Sequence, residues 1–171
     1  MAAADDLGQV IERCHLALDE FSRGNPNPVK DFYSSRNDVA IANPFFPLTR
    51  GREQVVARLE RSVQNFRDGE VGFQMVVKWV SDELACLVEL EEWKTKVGGR
   101  EDVTPFTLRV TTLFRAEGGG WKVVHRHADP ITTAQPAESV IPEETYPLGA
   151  NFLENSVKTS SQKSTSTTLG E

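Results

Sequence analysis

The chain has 171 residues, 39% of them hydrophobic and 26% charged, with a formal net charge of -6. That balance suits one soluble domain around one core and disfavours nucleic-acid or anionic-membrane partners, because no basic cluster stands out. No apolar run approaches the ~20 residues needed to cross a bilayer.

The opening Met1-Ala2-Ala3-Ala4-Asp5-Asp6 lacks the basic and apolar regions of a secretory signal. Cys14 and Cys86 are the two cysteines, each inside an apolar pattern, and read as buried free thiols. A cytoplasmic, reducing location is expected. Leu7, Val10, Ile11, Cys14, Ala17, Leu18 and Phe21 recur at helical spacing and predict a helix over 5–23, with His15 flanking the stripe. Gly24-Asn25-Pro26-Asn27-Pro28 ends it. A short helix is expected over 29–34, with Phe32 and Tyr33 packing inward. Residues 38–43 read as a first strand, cut off by Pro44 and Pro47. Helical spacing returns over 51–67, with Val55, Val56, Leu59, Val63 and Phe66 on one side.

From Val71 the period falls to two, predicting strands over 71–80, 84–97, 102–116 and 121–129 with short hairpin joints. Helices first and a strand meander after predict an α+β domain, helices on one face of an antiparallel sheet. A strand over 84–97 would run ~45 Å and must bend, which leaves a concave mouth where a small molecule can bind. After Pro130 the pattern fails. The expected organisation is a domain over 1–132, an extended segment over 133–150 and a disordered Ser/Thr-rich tail over 151–171.

The last strand, Trp121-Lys122-Val123-Val124-His125-Arg126-His127-Ala128-Asp129, carries ionisable groups on both faces. His125 and His127 would lie about 7 Å apart on one side. They are open to three readings: a hydrogen-bonded packing pair, an acid/base pair, or two zinc ligands with Asp129. No third ligand has the spacing of a metal motif, so neither metal nor cofactor is expected. Glu89, Glu91 and Trp93 share one face of the strand over 84–97, opposite a uniformly apolar row of Leu84, Cys86, Val88 and Leu90. The carboxylates belong either to a solvated face or to a pocket, where a partly desolvated carboxyl suits acid/base work. Arg126 can pair with Glu89 or Glu91, or bind a ligand through its fork.

Asp38-Val39-Ala40-Ile41-Ala42-Asn43-Pro44-Phe45, Gly51-Arg52-Glu53-Gln54-Val55-Val56, Leu108-Arg109-Val110-Thr111 with Phe114-Arg115, and the last strand resemble the SnoaL-like branch of the nuclear-transport-factor-2 (NTF2) superfamily. The chain is similar there to ketosteroid isomerase homologues, over residues 5–132. The resemblance implies a cystatin-like cone, a curved sheet wrapped around helices, commonly dimeric. It also extends to the association domain of the calcium/calmodulin-dependent kinase, whose pocket arginines fall here on Glu91, Thr112 and Ala128. That correspondence turns Asn43, Val55, Glu91, Thr112 and the Arg126 side of the last strand toward the cavity, and His125 and His127 away, unless a β-bulge reverses the faces. A late catalytic aspartate in the family's polyketide cyclases makes Asp129 a candidate equivalent.

The expected function is binding of a small apolar organic molecule in the cone, with cofactor-free isomerase or cyclase chemistry as its catalytic form. Glu91, Asp129 and His127 are the candidate catalytic groups; Asn43, Trp93, Thr112, Arg126 and His125 are the candidate ligand contacts. The alternative is a non-catalytic dimeric ligand-binding or assembly module. A homodimer through the open sheet face is expected on either reading. Glu91→Gln is expected to leave folding nearly intact, and Trp93 to stand at the mouth.

Overall fold

A computed structural model describes residues 2–141. They fall into two units, the first extending through Ala134 and the second starting at Gln135. Of the second unit, a 3-10 turn over Ala137–Val140 is described. Residues 142–150 of the expected extended segment, and the expected tail, lie outside the described residues.

In the first unit, helices α1 (Ala2–Ser22), α2 (Asn27–Phe32) and α3 (Arg52–Val63) accompany strands β1 (Ala40–Asn43), β2 (Phe46–Arg50), β3 (Phe66–Val80), β4 (Leu84–Val97), β5 (Val103–Glu117) and β6 (Gly120–Asp129). No described helix is long and apolar enough to cross a membrane. The strands form one sheet in the order β2-β1-β6-β5-β4-β3. The core lies between its inner face and the helices. Leu7, Val10, Ile11, Ala17 and Phe21 of α1 are buried there with Val55, Leu59 and Val63 of α3, as their spacing predicts.

Four features differ from the sequence expectations. The sheet is mixed, because β1 pairs with β6 in parallel, Ile41 opposite Arg126. No tight turn joins these two strands, so none dictates an antiparallel run. Pro47 lies inside β2 rather than ending strand structure. The strand is at the sheet edge, where a missing N–H costs no ladder bond. Helix α3 stops at Val63, short of the expected 67. The Asn65 side chain donates to Ser62 O (3.2 Å) and its own carbonyl accepts from Gly98 N (2.8 Å), which closes the last turn and releases Phe66 into β3.

The fourth difference is a β-bulge in β6. Leu113 of β5 pairs with His125 and Phe114 pairs with Val123, so Val124 is the extra residue. Trp121 and Val123 before it, and Ala128 after it, are all buried. One extra residue thus brings Trp121, Val123, Arg126 and Ala128 to the same inner face, although their numbers differ in parity. Strict alternation would place Trp121 and Arg126 on opposite sides.

A second bulge, between Arg67 and Glu70, ties the edge strand β3 to the end of α1. A Cβ on Gly69 would lie 2.7 Å from Ser22 O, so only glycine fits this approach. Thr95 Oγ1 bonds Arg67 O (2.9 Å) and Ser22 O (3.1 Å), and Asp19 accepts from Val71 N (3.1 Å). These contacts hold the long β3–β4 hairpin against the helix.

Candidate functional site

Between the helices and the inner face of the sheet lies a narrow cavity with two lobes, both partly open to solvent. The lobes share Leu18, Val29, Tyr33 and Arg126 as a common wall. Most of the lining is aliphatic or aromatic, with a few convergent polar groups.

Behind that wall lies Glu91 of β4, which itself lines neither lobe. It is 1% exposed, and Arg126 Nη2 donates to both its oxygens at 2.7 Å. Trp93 Nε1 adds a third bond to Oε2 at 2.9 Å. The inward row of β4 brings Glu91 and Trp93 to one face, and the bulge at Val124 brings Arg126 to meet them. Burial alone would depress the Arg126 pKa, but the Glu91 charge outweighs it and raises the value, so the guanidinium stays charged. The pair is a neutral unit overall. With both oxygens engaged and its charge cancelled, Glu91 is poorly equipped to take a proton from a ligand.

Trp93 is 3% exposed and packs on Phe66 (5.0 Å between centroids) and Phe106 (5.8 Å). It forms the inner wall of the second lobe and not its mouth. Asn43 lines the same lobe, yet its side chain is occupied in structure: Oδ1 accepts from Phe45 N and Phe46 N, and Nδ2 donates to Ser62 Oγ, all at 3.1 Å. Thr112 lines the first lobe.

His125, His127 and Asp129 line neither lobe. The His125 ring contacts Ala40 O through Nδ1 at 3.2 Å. The His127 side chain is 54% exposed, with Nε2 4.0 Å from Asp129. Arg109 Nε holds Asp129 at 2.8 and 2.9 Å, and Ile131 N donates to the same carboxylate. The expected combination of Glu91 with His127 and Asp129 is therefore not brought together. The bulge precedes His125, so both histidines stay on the outer face.

In their place the fold brings His15 to the first lobe. Its Nε2 is 2.7 Å from Oε1 of Glu89, which is 3% exposed, and its ring stacks on Phe73 at 3.8 Å. His15 also lines an open groove outside, between α1 and β3, so the ring separates cavity from solvent. The available signal was its place on α1 beside the Ile11–Leu18 stripe, opposite the inward row that holds Glu89. Cys14, the next residue, lines the lobe as well. Burial pushes its thiol up to about 12, which makes it a packing group and a poor nucleophile.

The profile of the SnoaL-like domain matches residues 10–132. The chain belongs to the SnoaL-like family. Solved structures agree on the fold of this SnoaL-like domain at low sequence identity. An NTF2-like superfamily protein from Salmonella enterica serovar Typhimurium is 13% identical, with a TM-score of 0.65, over 80% of this chain and 96% of that one. A ketosteroid isomerase-like protein from Erwinia carotovora is 17% identical (TM-score 0.59; 77% and 97% covered). An NTF2-like protein of unknown function from Pseudomonas putida is 20% identical (TM-score 0.60; 81% and 91% covered). No curated protein matches the chain.

Proposed function

We propose that this SnoaL-like domain binds a small, mainly apolar organic molecule in its two-lobed cone. The observation that carries this reading is Arg126 on the cavity wall, its charge cancelled by the buried Glu91 behind it. An ion pair closed by bonds of 2.7 Å presents hydrogen-bonding atoms without net charge, inside a lining otherwise apolar. That suits recognition better than proton abstraction by Glu91. Native mass spectrometry of freshly purified protein tests it. A co-purifying compound, or uptake of an added apolar probe, is expected. Protein that neither carries nor takes up any such compound would overturn the reading.

A catalytic reading, cofactor-free proton transfer, has one observation in its favour: the His15–Glu89 contact in the first lobe. An imidazole fixed by a buried carboxylate can move a proton at the cavity edge. If a ligand is turned over, His15→Ala should abolish turnover and leave binding in place.

The same reading includes a homodimer through the outer sheet face. Trp79 is 58% exposed there, beside Leu84 and the half-buried Cys86, Val88, Leu90 and Leu113. A patch of that kind favours a second copy of the same face.

A further inference from the structure

As they stand, the two lobes each have room for a few water molecules and not for an organic molecule. Entry of a ligand therefore needs part of the wall to move. Of the elements that border both lobes, α1 buries Leu7, Val10, Ile11, Ala17 and Phe21, and β6 is paired along both edges by β1 and β5. The strap over residues 26–32, which contains α2, is held differently. Val29 is the buried side chain of α2 and lines both lobes, and the half-buried Phe32 lines the first. Asn27 and Asp31 on the other side are exposed. Each end is anchored by a backbone bond: Asn25 N donates to Glu20 O (3.1 Å), and Ser34 N donates to Val123 O (2.9 Å). Between these anchors the ties are polar and at the surface. Lys30 Nζ pairs with Glu60 of α3 (2.8 Å), Arg52 Nη1 donates to Lys30 O (3.1 Å), and Lys122 Nζ donates to Asp31 O (2.9 Å). Carbonyls of the last helical turn lack an i+4 donor, and here two cations from other elements supply one.

We propose that residues 26–32 form a latched lid over the cone, swinging on their two anchored ends and held shut by Arg52 and Lys122. The proposal rests on the reading of the cone as a ligand site and adds the route by which its ligand enters. Val29 and Phe32 border empty space on the inside, so lifting them forfeits less packing than moving a core residue would. Gly24, with a φ of 97°, gives the chain a turn just before the first anchor. The Tyr33–Val123 bridge and the ladders of the sheet stay in place as the strap lifts.

Cys14, which lines the first lobe with Val29 and Phe32, reports the opening. With the lid shut its thiol is buried and keeps its proton, with a pKa of about 12; with the lid lifted it meets water and reagent. Alkylation of the full chain by N-phenylmaleimide, a compact apolar reagent, is followed at Cys14 by peptide mass spectrometry, with urea from zero to just below the unfolding midpoint. Wild-type labelling should be slow and nearly independent of urea over the lower half of that range, as a small local opening requires. Arg52→Met with Lys122→Met should label at least about tenfold faster without urea. Arg52→Lys with Lys122→Arg keeps a cation at each carbonyl and should label within about threefold of wild type. Equal rates in wild type and the methionine variant would overturn the proposal, as would a Lys/Arg variant as fast as the methionine one. So would labelling that climbs from zero urea at the full slope of global unfolding, because Cys14 would then be reached only by unfolding the domain. Cys14 reports without any ligand, so each of these failures leaves the cone reading to its own test by native mass spectrometry.

Discussion

Removing the Glu91 charge should destabilise the domain, contrary to the sequence expectation of a near-silent change. Glu91→Gln keeps the shape of the side chain. It leaves Arg126, whose side chain is 13% exposed, as a cation without its counter-ion. Breaking a buried pair by removing one partner costs ~3–5 kcal/mol. Arg126 borders a cavity that water can enter, and Gln still accepts one hydrogen bond, so the lower end applies here, about 3 kcal/mol. For a domain of this size that lowers Tm by ~10 °C. The pair itself need not be strongly stabilising, since its desolvation offsets much of its attraction. Adding Arg126→Met to Glu91→Gln removes the stranded charge and should restore about 2 kcal/mol. Urea denaturation of wild type, both single variants and the double variant measures all four corners. A Glu91→Gln midpoint equal to wild type, or a double variant less stable than Glu91→Gln alone, would refute the reasoning.

Three further outcomes are expected. The Glu117 carboxyl is held below its ordinary pKa: burial pushes it up, but bonds from Ser34 and Arg115 outweigh that. A depressed carboxyl contributes stability that is fully present above its unfolded value of about 4.5 and lost as pH falls through the folded one. Chemical denaturation from pH 6 downward should therefore show a smaller acid loss in Glu117→Gln than in wild type, and parallel curves would contradict this. Cys14 should react with iodoacetamide at pH 8 at least about 100-fold more slowly than a free thiol, as peptide mass spectrometry can follow; labelling at the free-thiol rate would show that the lobe opens readily. Sedimentation should give a dimer at micromolar concentration, and Trp79→Lys with Leu84→Glu should give a folded monomer; a compact wild-type monomer would dismiss the outer face as an interface.

The sequence made the fold legible wherever periodicity is long and uninterrupted. The α1 stripe and the four-strand meander follow from spacing alone, whereas spacing left the Glu89–Glu91–Trp93 row of β4 open between solvent and pocket and the family resemblance turned it inward. What spacing could not carry was any feature set by a single local contact. The Asn65 side chain ends α3 early, and edge position lets Pro47 sit in a strand. The parallel pairing of β1 with β6 joins segments about eighty residues apart in sequence, beyond the reach of any local pattern. At the site, Glu91, Trp93 and Arg126 could be placed together from common faces and the family resemblance. Tyr33 was legible only as an inward aromatic, because its place between the lobes leaves no mark on periodicity. His15 was passed over for the same reason: its partner Glu89 is seventy-four residues away.

The extra residue at Val124 makes the last strand a phase selector. With regular pairing continued from Trp121, the same chain would turn His125 and His127 into the cone and Arg126 out onto the sheet surface. Glu91 would then face imidazoles, which titrate near neutral pH, in place of a cation that does not. One backbone register therefore chooses between a fixed, recognition-type wall and a proton-exchanging one, without any change of side chain. Loss or gain of a single residue in this strand is a short route by which one cone could exchange binding for chemistry.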